Sequence, residues 1–322
     1  MINIFYRKKR EGVNSIESVF SAIDLYLYKH ENVFLPHSNA SLISLLKNIL
    51  YVKKNLSNKN HITGDIHYAV IGSGKHSLLT IHDVRSALKG NFLKQLYIKL
   101  LWFWIPTFIA KKISVISQST YDDVVKLCPW TKSKISIIPN PYNIAFEGKI
   151  KDKINEKPRI LHIGTKPNKN LERVIDALSD INCELIIIGK LTNHQLSLLK
   201  DSGIHYKNKY DIPVENLIEE YRKCDIVSFP STFEGFGMPV IEGQAAMRSV
   251  LAGNIPVLRD IAGEKGALFV DPFDVKDIRK GFKKLIEDST FRCNLVKVGM
   301  ENIKRFHPEK ISDLYNKIYE EL

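Results

Sequence analysis

The chain has 322 residues, 44% of them hydrophobic, and carries a net charge of +12. That length allows about two domains of ordinary size, each with its own core, and the composition fits a soluble globular protein. The four cysteines show neither a CxxC motif nor a metal-ligand spacing, which argues against disulfides and structural zinc and for buried thiols in a reducing compartment.

The N-terminal half carries almost all of the net charge. Residues 1–150 hold 20 Lys and Arg against 9 Asp and Glu, or +11, which leaves 27 against 26, or +1, for residues 151–322. A basic half can attract nucleic acid, anionic lipid or a phosphorylated substrate, and charge alone does not choose among them. The start, MINIFYRKKREG, has its charges after a short apolar stretch, the reverse of a secretory signal, and predicts a cytoplasmic protein.

Apolar runs at 68–72, 77–83 and 112–117 predict strands of an α/β domain in this half. Several of its polar residues are candidates for contact with an acceptor or a sugar: Gly12 in REGVNSIE, His61, Asp65 and His67 in HITGDIHY, and His82 and Asp83 after the second strand. The alternatives are a plain turn at Gly12, core histidines satisfied by backbone hydrogen bonds in HITGDIHY, and a helix cap at Asp83. The spacing matches no strong zinc pattern, so no metal is expected.

Basic and aromatic residues of the same half could form a surface that rests on a membrane. They are RKKR (7–10), Lys53, Lys54, Lys111 and Lys112, with Trp102, Phe103 and Trp104. The alternative is that the aromatic residues belong to the core and the lysines to a solvated face. The run 100–110 is too short to span a bilayer and contains Pro106.

The C-terminal half alternates strand-like runs at 159–164, 183–189 and 225–230 with amphipathic segments, a pattern that predicts βαβ units around a buried parallel sheet. A charged segment at 141–157 predicts the linker. We therefore expect an α/β protein of two Rossmann-like domains, residues 1–145 and 146–322, with a cleft between them and with the C-terminal helix able to pack back on the N-terminal domain.

The stretch PSTFEGFGMPVIEGQ (230–244) follows the last of these strands and leads into a predicted helix at Pro239. It therefore lies at the carboxyl end of a parallel strand, where open α/β sheets bind ligands. Gly235 and Gly237 allow close backbone approach, and the helix start favours a phosphate. The carboxylates of Glu234 and Glu242 suit sugar hydroxyls, so the stretch predicts a nucleotide-sugar site. Taken singly, Glu242 could only complement the helix dipole and Glu234 could be solvated.

The segment EGFGMPVIE resembles the E-x7-E signature of the family 4 (group 1) retaining glycosyltransferases, which have the GT-B fold. The segments at 78–84, 137–143, 162–178 and 267–274 agree in the same order, so the resemblance covers about residues 60–275. Two departures from the family pattern are Thr165, where an arginine is common, and AAMRSVLA after Glu242.

The resemblance implies roles for individual residues. Residues implied to bind the donor are Gly164, Thr165, Lys169, Gly235, Phe236, Gly237, Met238 and Glu242, with Glu242 on the ribose and Lys169 neutralising the diphosphate. Residues implied to act in catalysis are Glu234, His82 and Lys169. No covalent nucleophile stands out, and no metal or other cofactor is required beyond a UDP- or GDP-sugar donor.

The resemblance implies a retaining sugar transfer to an acceptor hydroxyl, with a polyprenyl-diphosphate-linked saccharide of bacterial O-antigen or capsule as the expected acceptor. Such an enzyme is expected on the cytoplasmic face of the inner membrane, in peripheral contact with anionic lipid. The rivals are a GT-B nucleotide-sugar epimerase, a glycan phosphorylase, and a non-catalytic protein that binds nucleic acid or membrane. Nucleic acid is not expected as a partner, because the aromatic and basic residues form no RNA-binding motif.

Overall fold

A computed structural model describes residues 1–8, 15–88, 90–151 and 153–322, with only the backbone for Ser15 and Ile16. The chain divides into two units: unit 1 comprises Met1–Pro141 and Pro308–Leu322, and unit 2 comprises Tyr142–His307. The division lies slightly before the expected limit at residue 145, and the last helix belongs to unit 1.

Unit 1 is built on a six-stranded parallel sheet in the order β2-β1-β3-β4-β5-β6. Its strands are β1 (Ile2–Tyr6), β2 (His30–Phe34), β3 (Lys59–Ile62), β4 (Ser77–Ile81), β5 (Lys112–Val115) and β6 (Ile135–Ile137). Every residue of β1 and β4 is buried, as expected for parallel strands covered on both faces. The strand order reverses between β1 and β3, so the carboxyl ends of these two strands flank the position where such sheets bind ligands.

The helices of unit 1 are α1 (Ser15–Ser21), α2 (Leu42–Lys54), α3 (Val70–Ser73), α4 (Phe92–Ile98), α5 (Ile105–Ile109), α6 (Gln118–Leu127) and the C-terminal helix (Pro308–Glu321). A π-helical segment, Lys99–Trp104, joins α4 to α5. The α2 helix begins where the Ser41 hydroxyl accepts a hydrogen bond from the Ser44 backbone, and α6 begins in the same way at Ser117.

The strands predicted at 77–83 and 112–117 are confirmed as β4 and β5, but the strand predicted at 68–72 is wrong. Residues His67–Ala69 form a 3-10 helix that continues into α3. A Cβ at Gly72 would lie 2.4 Å from the Ile49 carbonyl oxygen, so α3 packs closely on the backbone of α2. Since Tyr68–Val70 are buried, the short apolar run has no periodicity to distinguish helix from strand.

Unit 2 contains a second six-stranded parallel sheet in the order β12-β11-β10-β7-β8-β9. Its strands are β7 (Arg159–Ile163), β8 (Glu184–Ile188), β9 (His205–Lys209), β10 (Ile226–Phe229), β11 (Ser249–Gly253) and β12 (Leu268–Val270). Its helices are α7 (Leu171–Leu178), α8 (Asn193–Ser202), α9 (Val214–Lys223), α10 (Met238–Ala245), α11 (Pro256–Ala262), α12 (Val275–Glu287) and α13 (Ser289–Ile303). The three strands predicted in this half are confirmed as β7, β8 and β10.

The order of this sheet reverses between β7 and β10, which pair directly with each other. The loops that follow these two strands therefore meet at one edge of the sheet. Both loops carry residues singled out in the sequence, and the prediction of two Rossmann-like α/β domains is confirmed.

Candidate functional site

Two loops of unit 2 are held together at the carboxyl ends of β7 and β10. The Thr232 backbone N–H donates to the Asn168 carbonyl at 2.9 Å. The buried Asn170 side chain donates to the carbonyls of Pro230 at 3.0 Å and Pro272 at 2.6 Å. Asn170 has a left-handed backbone with φ 67°, which ends the short 3-10 helix Pro167–Lys169 and directs the chain into α7. These bonds fix the position of Lys169 relative to the second loop.

Lys169 and Glu234 form an ion pair across the two loops. The Lys169 Nζ lies 2.7 Å from the Glu234 Oε1 and 4.5 Å from the centre of the Phe229 ring. The lysine stem crosses Gly164, which has φ 94° and where a Cβ would lie 2.8 Å from the Lys169 Cγ. Gly164 is therefore required for the path of Lys169 and has no side chain with which to hold a ligand.

His162 lies below this ion pair and is fully buried in β7. Burial, together with the nearby Lys169 charge, lowers the pKa of His162 to about 3. Its ring is therefore neutral near pH 7 and adds no charge to the site.

The glycine-containing turn 235–237 leads directly into α10. Gly237 has φ 116°, and a Cβ there would lie 2.5 Å from the Leu258 Cδ2, so both backbone geometry and packing require glycine. The Phe236 ring is buried and packs edge-on against Phe306 with centroids 5.9 Å apart. Phe236 was expected to contact the donor, but its side chain anchors the turn in the core, which leaves only its backbone for a ligand. Gly235 and Met238 are half-buried on either side of this turn.

Glu242 lies one turn into α10 and is half-buried. Its Oε2 accepts a hydrogen bond of 2.6 Å from the hydroxyl of Tyr221, a fully buried residue of α9. Burial raises the pKa of Glu242 to about 7, and this rise is opposed by the Tyr221 hydrogen bond and by the charge of Lys169. The carboxyl group therefore changes its charge close to neutral pH.

Thr165 stands where an arginine is common in the family, and it supplies no positive charge to the site. Its hydroxyl donates to the Lys190 carbonyl at 2.7 Å, and its carbonyl accepts from the Gln195 amide at 2.8 Å. Thr165 thus ties the loop after β7 to the chain after β8. Lys166, the neighbouring lysine, is exposed.

Unit 1 has a pocket of its own where its strand order reverses. The cavity measures about 450 Å³ and is lined by residues from several segments, among them Arg7, residues 37–40, Asp65, His67, His82, Asp83, Ile98 and Trp102. Arg7 follows β1 and bonds Glu17 at 2.9 Å and Asp65 at 3.4 Å. The predicted residues Asp65, His67, His82 and Asp83 are therefore brought together in one cavity.

Two histidines of this pocket differ in how their rings are satisfied. The His67 Nδ1 lies 2.7 Å from the Trp102 carbonyl, and burial lowers its pKa. The buried His82 Nε2 has no hydrogen-bond partner among the described residues. Burial, reinforced by the proximity of His67, lowers the pKa of His82 to about 4. His82 is thus a neutral ring with a free position in the wall of a cavity.

The remaining candidates of unit 1 have other environments. His61 is completely buried between the Tyr319 hydroxyl at 2.7 Å and the Thr80 hydroxyl at 2.6 Å, so it is a core residue and not a substrate contact, and side chains instead of backbone satisfy it. Asp83 accepts from the Arg85 backbone at 2.9 Å, which is the expected cap, and it also borders the pocket. Gly12 lies outside the described residues.

The basic aromatic surface expected in this half is wrong in its aromatic residues, for which the alternative, a place in the core, holds. Lys53 and Lys54 are exposed, whereas Lys9 and Arg10 lie outside the described residues. Trp102 and Phe103 are buried in the core of unit 1, and the Trp104 ring donates to the Leu127 carbonyl at 3.2 Å. The described residues contain no helix long and apolar enough to cross a membrane. They also contain no group of three His, Cys, Asp or Glu side chains arranged to hold a metal ion.

Two units with six parallel strands each, and a polar cluster at the reversal point of each sheet, are the architecture of the GT-B fold. Residues 144–301 match the family of glycosyl transferases group 1. This stretch, just under half of the chain, therefore carries a group 1 glycosyltransferase domain, as the signature at 234–242 predicts, and the chain is a glycosyltransferase.

Known proteins similar to this chain agree with that class. One relative is the O-antigen chain mannosyltransferase RfbU of Salmonella typhimurium, 27% identical over 72% of this chain and 68% of its own length. Another is the N,N'-diacetylbacillosaminyl-diphospho-undecaprenol alpha-1,3-N-acetylgalactosaminyltransferase of Campylobacter jejuni, 24% identical over 52% of this chain and 46% of its own. Among solved structures, Anabaena HepE in complex with UDP-glucose has a TM-score of 0.80 at 14% identity, with 100% of this chain and 99% of that chain covered.

Tyr221 and Arg7 are site residues that the sequence did not reveal. Tyr221 lies on α9, outside the signature stretch, and no motif links it to Glu242. Arg7 was grouped with the basic run 7–10, although its place directly after β1 could have indicated a site residue.

Proposed function

We propose that this glycosyltransferase moves a sugar, with retention of anomeric configuration, from a nucleotide-diphosphate sugar to a hydroxyl of a lipid-linked saccharide. The observation that carries the proposal is the cluster at the reversal point of unit 2, where Lys169, Glu234 and Glu242 surround the turn 235–237. It combines one cation, two carboxylates and the backbone N–H groups at the start of α10, as a diphosphate between two sugars requires.

In this proposal each group has a separate role. Glu242 accepts from the ribose hydroxyls, and Glu234 contacts the donor sugar. The ammonium of Lys169, with the N–H groups at 235–237, stabilises the charge that develops on the departing diphosphate. The departing phosphate helps to take the proton of the acceptor hydroxyl, which arrives on the same face of the sugar, and no metal ion is needed.

The acceptor side is assigned to the pocket of unit 1. His82, with its free ring position, and Asp65 border a cavity large enough for sugar units. A relative named for an undecaprenol-linked acceptor and one named for O-antigen mannosyl transfer support a polyprenyl-linked saccharide of a bacterial surface polysaccharide, O-antigen or capsule. A cytoplasmic enzyme in peripheral contact with the inner membrane fits such an acceptor.

The donor site is tested by nucleotide-induced stabilisation. We expect one of UDP, GDP and ADP to raise the unfolding temperature, since a ligand at about 100 times its dissociation constant stabilises by about 2.7 kcal/mol. Glu242→Gln should weaken that nucleotide by about 1.5–3 kcal/mol, or roughly ten- to a hundredfold, the usual value of a hydrogen bond to a charged group. The matched control Glu264→Gln changes an exposed glutamate of the same unit and should leave the shift intact.

A parent protein that responds to none of the three nucleotides would contradict the donor site. If one nucleotide does respond, donors that carry its base are assayed for sugar transfer. Mannose is tested first, because one relative is named as a mannosyltransferase. The anomeric configuration of the product, read by NMR, tests retention: an inverted linkage would overturn that part of the proposal.

A further inference from the structure

Helix α2 exposes four large apolar side chains on the outside of unit 1. Leu42, Ile43, Leu46 and Leu50 are 62%, 67%, 60% and 57% exposed. Their spacing places them along one stripe of the helix. The opposite, buried face carries Leu45 and Val52 of the core together with two polar residues, and there Asn48 donates to the His37 carbonyl at 2.9 Å and to the Tyr68 hydroxyl at 2.8 Å. The helix thus has apolar residues on both faces, and none of the described residues of unit 1 covers the outer stripe.

The start of α4 adds to this apolar surface. Phe92 and Leu93 are 76% and 73% exposed. The Tyr97 hydroxyl of the same helix donates to the Ala40 carbonyl at 3.1 Å, just before α2 begins. The two helices therefore meet at this point, and we call their exposed apolar residues together the α2–α4 face. Six large exposed apolar side chains on two adjacent helices indicate an interaction site.

The charge of the α2–α4 face is uniformly positive. The segments 32–64 and 84–121, which contain both helices, have no Asp or Glu. Lys47, Lys53, Lys54 and Lys94 are exposed beside the apolar residues. An apolar stripe flanked by lysines complements an anionic lipid surface, where the stripe enters the interface and the ammonium groups meet the headgroups. A protein partner would need a matching acidic and apolar face, which nothing in the structure supplies.

The α2–α4 face also adjoins the pocket of unit 1. The segment 37–40, which leads into α2, lines that pocket, and so do Ile98 at the end of α4 and Trp102 just beyond it. A bilayer in contact with this face would therefore lie at the rim of the cavity assigned to the acceptor. A saccharide could occupy the cavity while its lipid stays in the membrane.

We propose that the α2–α4 face docks the enzyme on an anionic lipid bilayer, with the unit 1 pocket next to the membrane surface. The assignment to a lipid-linked acceptor rests on the proposed function, whereas the docking itself rests on exposure and charge. It keeps Lys53 and Lys54 of the surface expected from the sequence, but the apolar contacts come from α2 and α4 and not from Trp102 and Phe103, which lie in the core.

Flotation of the full chain with vesicles tests the proposal. We expect binding to phosphatidylcholine vesicles that contain about 30% phosphatidylglycerol, and weak binding to pure phosphatidylcholine. The double variant Leu46→Glu/Leu50→Glu should lower the vesicle-bound partition coefficient by about tenfold or more. The matched control, Leu196→Glu/Val298→Glu, changes two exposed apolar residues of unit 2 and should bind as the parent does.

A second pair of variants separates a defined face from net charge alone. Lys53→Glu/Lys54→Glu and Lys280→Glu/Lys283→Glu change the net charge equally, but only the first pair lies on the α2–α4 face. We expect a loss of about tenfold or more for the first pair, since each lysine near an anionic surface is worth about fivefold, and much less for the second. Equal losses, or equal binding of the parent and the leucine variant, would overturn the proposal. The proposal would also be overturned if the parent is a dimer, the leucine variant is a monomer, and neither binds vesicles.

The nucleotide-induced rise in unfolding temperature is measured on the same variants. The variants of the α2–α4 face should keep it, since their substitutions are outside unit 2. If the protein binds vesicles but no nucleotide, the proposed donor site is contradicted and the docking proposal stands. If it binds nucleotide but no vesicles, the docking proposal is contradicted and the donor site stands.

Discussion

The two reversal points of this molecule differ in how the groups assigned to a ligand are paired, although the buried His162 Nε2 of unit 2, like the His82 Nε2 of unit 1, has no partner among the described residues. In unit 2, Lys169 is paired with Glu234, and Glu242 is bonded to Tyr221. In unit 1, the pocket is open, and the buried Nε2 of His82 has no partner among the described residues. A diphosphate that enters unit 2 must compete with Glu234 for Lys169, whereas a hydroxyl that bonds the His82 Nε2 would displace no protein partner among the described residues. Lys169 is therefore suited to a charged ligand, and the ring of His82 to a neutral hydroxyl.

Removal of Lys169 should give the largest effect, because its charge is the only one assigned to the leaving diphosphate. We expect Lys169→Ala to lower kcat by about 10²–10³, the usual cost of losing one preorganised group that stabilises developing charge. Steady-state transfer rates with saturating donor measure this loss.

The control for Lys169 is Lys166→Ala, which removes an exposed lysine from the same loop. It should change kcat by less than about threefold, as expected for a solvated charge. Similar rates for both variants would mean that the ion pair with Glu234 only holds the two loops together. Lys169 would then have no part in stabilising the leaving diphosphate.

Substitution of His82 should have a smaller effect, because one neutral hydrogen bond is at stake. We expect His82→Ala to lower kcat/KM for the acceptor by about fivefold, which corresponds to about 1 kcal/mol, with an unchanged dissociation constant for the nucleotide. Since burial lowers the pKa of His82 to about 4, the ring stays neutral above about pH 5 and should produce no inflection of the rate near pH 6.5.

His76→Ala is the matched control for His82, since His76 is an exposed histidine of the same unit. A weaker nucleotide affinity in His82→Ala would contradict the assignment of the unit 1 pocket to the acceptor. An acceptor kcat/KM equal to that of the His76 variant would show that the free ring position has no functional role.

The contrast between the clusters also explains what the sequence could reveal. Glu234, the turn 235–237 and Glu242 lie within nine consecutive positions after a buried strand, so one short stretch carried most of the unit 2 site. Gly164 and Lys169 follow β7, the neighbour of β10 in the sheet. Both segments stand directly after strands whose continuous apolar runs are typical of a parallel sheet.

The pocket of unit 1 draws its wall from separate segments after β1, β2, β3 and β4, and no local pattern joins them. His61 and His67 lie six positions apart in one segment, yet His61 points into the core beneath the C-terminal helix and His67 into the pocket. Their difference depends on Tyr319, which is distant in sequence. Tyr221 could not be predicted either, because its hydroxyl contacts Glu242 from another helix that is distant in sequence.

Tyr221→Phe should give the smallest effect and the sharpest test of the charged cluster. Burial raises the pKa of Glu242 to about 7, and the Tyr221 hydrogen bond counteracts that rise. If the ionised carboxylate accepts from the ribose, nucleotide affinity should increase as pH rises from 6 to 8, with its midpoint near 7. Loss of the hydroxyl should move this midpoint upward, which weakens binding a few-fold at pH 7 and very little at pH 9.

Isothermal titration of the nucleotide at several pH values measures both the midpoint and the loss of affinity. Ionisation of the nucleotide's own phosphate is common to all proteins and cancels in the ratio of parent to variant. In Glu242→Gln the midpoint should vanish. A loss in Tyr221→Phe that is equal at every pH would mean that Tyr221 only packs against α10 and leaves the charge of Glu242 unchanged.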